Sequence, residues 1–67
     1  MKAVSGKALC KALEQKGWTL IRISGSHYIY GKLGSRSVPV PVHGNRTLKT
    51  GTQIGIMKQA GLTDADL

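Results

Sequence analysis

Two histidines, His27 and His43, are the side chains of this chain best suited to chemistry at neutral pH. Histidine both takes up and gives off a proton in that range. Here the pair stands among ten lysines and arginines, against three acids, for a net charge of +7 and a pI near 10.1. Histidine in a positive field suits metal-free cleavage of RNA. A base takes the proton of the 2′-hydroxyl, an acid gives one to the leaving 5′-oxygen, and cations stabilise the charge that gathers on the phosphoryl oxygens.

Other chemistries lack their parts. Glu14 falls in the middle of an expected helix and Asp64 and Asp66 in the tail, so no carboxylate pair forms and no Asp is placed for a Ser-His-Asp arrangement. The single Cys10 excludes an internal disulfide framework, and no Cys/His spacing suits zinc. Glycine motifs for nucleotide phosphates are absent. We therefore expect no metal and no cofactor. The excess of positive charge favours a polyanion, because each phosphate neutralised releases condensed counterions. An acidic protein is the other partner such a charge would suit. Lys7, Lys11, Arg22, Arg46 and Lys49 are the expected RNA contacts. Ser26, beside His27, could orient the ring or the phosphate, and either histidine could make one of the two proton transfers.

The elements that must position these residues are legible in outline. Ser5 to Lys16 is a helix with Leu9, Ala12 and Leu13 in one apolar stripe, Ser5 as N-cap and Gly17 as stop. Lys7 and Lys11 lie one turn apart on its polar side. Trp18 to Ser24 is a strand, Ser24-Gly25-Ser26 a turn, His27 to Tyr30 a second strand and Gly31 to Ser35 a second turn. Arg36 to Val42 alternates, with Val38, Val40 and Val42 on one face and Pro39 and Pro41 on the other. Two prolines at that spacing mark an edge strand. After a loop from His43 to Lys49, a second helix begins near Thr50 or Gly51 and ends at Ala60 before Gly61. Ile54 and Met57 are its expected buried side, with Ile56 and Ala60 on an adjacent row. Thr63 caps a last turn over Asp64 to Leu67.

The order is α-β-β-β-α, an antiparallel meander with both helices on one face and the second sheet face open. At 67 residues this is one domain, 1–67. A meander puts the start of its second strand beside the end of its third. His27 is then opposite Val40 or Pro41, with His43 at the same end of the sheet, within roughly 10 Å. Which face His27 takes turns on a one-residue register. Tyr28 and Tyr30 share a strand face and would stack bases if that face were open. Trp18 reads as a core anchor and Cys10 as packing.

Gly25-Ser26-His27-Tyr28-Ile29-Tyr30, Val38-Pro39-Val40-Pro41-Val42-His43-Gly44-Asn45, Lys49-Thr50-Gly51-Thr52 and Ile56-Met57-Lys58-Gln59-Ala60-Gly61-Leu62 together resemble the HicA family of toxins. Ser5-Gly6-Lys7 and Gly17-Trp18 fit as well, so the resemblance covers nearly the whole chain in order. It implies a double-stranded-RNA-binding-domain-like fold, endoribonuclease action on mRNA, and neutralisation by a HicB-type antitoxin. The histidine of the Gly-Ser-His motif, His27, is the catalytic residue it implies. Two departures stand out. The turn Gly31-Lys32-Leu33-Gly34 lacks the Pro-Asp-Gly common there, and Lys49 stands with Arg46 where double-stranded-RNA-binding domains carry a lysine cluster. The second favours a single-stranded substrate over a long duplex. A non-catalytic RNA-binding module is the alternative reading. The N-terminus has no apolar leader and no segment is apolar enough to span a membrane, so a cytoplasmic protein is expected.

Overall fold

A computed structural model describes residues 1–67. The first helix, α1 (Gly6–Gln15), starts where the Ser5 hydroxyl accepts the Ala8 N–H at 3.2 Å. It ends because Gly17 turns left-handed, at φ +90°. There the Trp18 N–H bonds the Leu13 carbonyl and the Gly17 N–H that of Glu14, a paired closure that satisfies two otherwise orphaned carbonyls. Leu9 and Leu13 are fully buried and Ala12 and Cys10 nearly so, as the stripe predicts.

Three antiparallel strands follow in the order β1 (Thr19–Ser24), β2 (His27–Gly31) and β3 (Val38–Pro41). Gly25, with φ +59°, opens the two-residue loop between β1 and β2, as a type II′ hairpin requires at its first central position. β3 is shorter than the alternation suggests, since Arg36 and Ser37 stay outside the ladder. Its two prolines face Ile29 and His27. The Val42 N–H bonds the Ser26 carbonyl at 2.7 Å, so the neighbouring His27–Pro41 pair falls at a position where no bond is exchanged and proline costs nothing.

The second helix, α2 (Thr50–Ala60), stops at Gly61 in the left-handed region. A short 3-10 turn, Asp64–Asp66, follows with Thr63 in a capping box. Both helices pack on one face, over Tyr30, Val38, Val40 and Trp18, which is the α-β-β-β-α layout expected.

The buried side of α2 differs from expectation. Ile54 is exposed, and Gln53 is fully buried with Ile56 and Met57. The side chain of Gln53 accepts the Val4 N–H at 3.1 Å and donates to the Lys2 carbonyl at 2.6 Å. It thereby satisfies a backbone donor that burial would otherwise leave unpaired, and no apolar residue at 53 could do so.

The tyrosines also differ. Tyr28 and Tyr30 share a face, but it is the core face: Tyr30 is 1% exposed and Tyr28 packs against the cluster. Neither is a base-stacking platform. Trp18 is buried as an anchor, with the Lys32 ammonium 5.8 Å from its ring centre and bonded to the Lys16 carbonyl. No helix is long and apolar enough to cross a membrane.

Candidate functional site

His27 opens β2 opposite Ser24 on one side and Pro41 on the other. Directly opposed residues point to the same sheet face. Tyr28 and Tyr30 point into the core, so alternation sends His27, Ile29 and Gly31 outward. The register left open by the sequence is thus fixed: His27 is exposed on the face that the helices leave bare. Ser26 sits in the turn just before it, half-buried, its carbonyl holding Val42.

A second feature adjoins this face at Pro41. The chain from Ser5 pairs with Thr47 in an isolated bridge, and the Leu48 N–H bonds the Val4 carbonyl at 2.9 Å. The segments that lead into α1 and into α2 are thereby paired. Neither helix carries an acid in its first turn, so the positive end of each is uncompensated by its own side chains. Beside them a cavity of about 200 Å³ is lined by Pro41, His43, Arg46, Thr47, Leu48, Lys49 and Thr52. Pro41 belongs both to this cavity and to the pair with His27, so the two places are contiguous.

Gly6 makes this junction possible. A β-carbon there would run into the carbonyl of Pro41 and close on the α-carbon of Val42. Only glycine lets the start of α1 lie against the end of β3.

The cationic candidates divide. His43, Arg46 and Lys49 gather at the cavity, and Arg22 lies on β1, opposite Ile29, on the outward face. Lys7 is exposed on the first turn of α1, next to Gly6. Lys11 is apart from these: it lines a separate hollow with Val4, Ala8, Ala12, Gln15, Asp66 and Leu67.

The three carboxylates are engaged elsewhere. Glu14 accepts the Tyr30 hydroxyl at 2.6 Å, Asp66 pairs with Lys16 at 3.0 Å, and Asp64 lies 3.9 Å from the terminal ammonium. The Thr63 N–H, and after it Lys16, holds Asp66 below the usual carboxylate range. Burial pushes the Cys10 thiol up, which keeps it protonated and inert. Neither the cavity nor the bare sheet face contains an acid, so the field there is wholly positive. No three His, Cys, Asp or Glu side chains converge on a point that could hold a metal.

Sequence reasoning placed the histidines at one end but missed two contributors. Thr47 and Thr52 line the cavity, and nothing in their types announces it. The outward aim of Arg22 depends on an irregularity in β1, for which the only local hint is a glycine, Gly31, at the far end of the partner strand.

Residues 6–62 match the family model described as the HicA toxin of bacterial toxin–antitoxin systems. No curated protein matches the chain significantly.

Proposed function

The chain belongs to the HicA family of toxins from bacterial toxin–antitoxin systems, and from that premise we propose that it is a metal-independent endoribonuclease that cuts mRNA with His27 and is held in check by a HicB-type antitoxin. The observation that carries this reading is the position of His27. It is exposed on a bare sheet face that has no carboxylate and adjoins a cavity bearing His43, Arg46 and Lys49.

The chemistry needs little more. His27 takes the proton of a ribose 2′-hydroxyl, whose oxygen then forms a bond to the adjacent phosphorus while the bond from phosphorus to the 5′-oxygen breaks. The leaving oxygen receives a proton from His43 or from water. The products are a 2′,3′-cyclic phosphate and a 5′-hydroxyl. Arg46 and Lys49 hold the flanking backbone, and the first turn of α2 adds backbone N–H groups aimed at phosphate. His43 serves either as the second proton carrier or to order its loop. The shallow, open site fits a single strand that can lie across it, and slow turnover is enough to arrest growth.

The test is to induce the wild type and His27→Ala in parallel, following growth and mRNA integrity, and to incubate both purified proteins with RNA in EDTA. Because His27 is exposed, the variant keeps its fold. Arrest and cleavage by the wild type alone support the proposal. Equal toxicity of both moves the chemistry away from His27. Absence of cleavage by a folded, RNA-binding wild type makes the chain a non-catalytic RNA-binding module.

A further inference from the structure

A regular ladder would put Arg22 on the wrong side of the sheet. Leu20 lies opposite Tyr30, whose side chain is in the core. Strict alternation from there would turn Ile21 outward, Arg22 inward and Ile23 outward again. The register instead slips between Leu20 and Arg22: Arg22 stands opposite Ile29, Ile23 opposite Tyr28 and Ser24 opposite His27. Ile21 is the extra residue. Its side chain lies over Gly31, in the space that a β-carbon at 31 would take. Bulges redirect side chains in this way and recur beside active sites.

The consequence is a change of company for His27. Arg22 and Ser24 join it on the bare face, and Ile23 goes to the other. Arg22 and His27 become diagonal neighbours on adjoining strands, about 7–8 Å apart at their α-carbons. Between them the floor is Ile29 with Pro39 opposite it, an apolar surface without competing acceptors. Arg22 is exposed, and neither ion pair of the chain involves it. Its charge is therefore unspent.

We propose that the scissile phosphodiester is seated on the sheet face between Arg22 and His27, and that Arg22 is a catalytic residue. This rests on the ribonuclease reading and deepens it. The guanidinium donates to the two non-bridging oxygens, a bidentate fit that lysine cannot reproduce. It holds them more strongly as charge accumulates in the five-coordinate transition state, while His27 takes the 2′-hydroxyl proton. The cavity at Arg46 and Lys49 then receives a neighbouring phosphate, reached past Pro41, and contributes to binding more than to rate.

The experiment relocates the charge without changing it. Arg22→Ile combined with Ile23→Arg keeps the net charge and moves the guanidinium to the opposite face. Both positions are solvent-exposed, so the fold tolerates the exchange, and a thermal melt close to wild type verifies this. The relocated protein should lose about 100-fold in kcat, with KM changing less than about threefold. Arg22→Lys should keep part of the rate, losing roughly tenfold. A relocated protein that turns over like the wild type overturns the proposal.

A binding readout separates this from the ribonuclease reading. A 2′-O-methyl RNA decamer, which cannot be cleaved, is titrated into wild-type protein while the side-chain resonances of Arg22, His27, Arg46 and Lys49 are followed by NMR. Joint perturbation of the two supports the seat even if the wild type cuts nothing. Perturbation confined to Arg46 and Lys49 overturns it even if the wild type is active.

Discussion

The Tyr30 hydroxyl donates a 2.6 Å hydrogen bond to Glu14, joining β2 to the last turn of α1 across the core. Burial and then this bond push the phenol above its usual range, so it remains a donor at any pH the protein meets. A bond to a charged acceptor contributes more than a neutral one, but Glu14 is exposed and solvent weakens the effect. Tyr30→Phe keeps the ring and its packing. It should cost about 1 kcal/mol in urea unfolding and leave RNA cleavage unchanged.

Two glycine replacements should act in opposite directions. Gly6→Ala drives a methyl group into the Pro41 carbonyl, backbone against backbone. It should cost about 1–3 kcal/mol, more than the gain in helix propensity. Gly55, inside α2, has open space where its β-carbon would go, so Gly55→Ala should add about 0.5–1 kcal/mol. Urea midpoints that move the same way for both would show that the close approach at Gly6 does not govern its choice.

Gln53→Leu should be costly in spite of its apolar character. It leaves the Val4 N–H without the acceptor it has now and frees the Lys2 carbonyl. The expected loss is about 1–3 kcal/mol. Hydrogen exchange at the Val4 amide should speed up more than exchange within β2. Uniform acceleration would mean that the segment is held by something else.

Asp66 sets an acid-side dependence. Its pKa is lowered in the folded chain, first by the Thr63 N–H and then by Lys16. The contribution is therefore complete above the ordinary carboxylate value of 3.8. It fades as the pH falls below that value and is lost once the folded-state pKa is passed. Asp66→Asn should flatten the acid limb of a plot of Tm against pH. An acid limb identical to wild type would remove Asp66 from the account.

The cavity cations make a salt prediction. Replacing Arg46 and Lys49 together by alanine should reduce the slope of log affinity against log salt by about 1.4, at roughly 0.7 for each phosphate of a single strand that is no longer neutralised. An unchanged slope would place both residues outside the RNA path.

How far the sequence reaches depends on how local each cause is. Ser5, Gly17 and Gly61 mark helix ends through their own backbones, and Val38 and Val40 declare a buried strand face through period two. His27 and His43 fall at one end of the sheet because a meander leaves few other arrangements. Gln53 is not readable in this way, because the backbone groups that it satisfies lie about fifty positions away in sequence. Ile54 takes the solvent side, against its apolar character, for the same reason. The outward aim of Arg22 is hidden too: six residues, Thr-Leu-Ile-Arg-Ile-Ser, give no sign of where a register slips. That slip also decides which side chains accompany His27.

The two borders of the sheet are unlike. Along β3, Pro39 and Pro41 withhold the N–H groups that another strand would need. β1 has no proline and is exposed along its whole length. Two copies that met β1 to β1 would each then show only the proline border, and a third copy would find nothing to dock on. Such pairing ends at two copies and does not lengthen into a fibre, so the prolines act as chain terminators for a protein that otherwise displays an open strand.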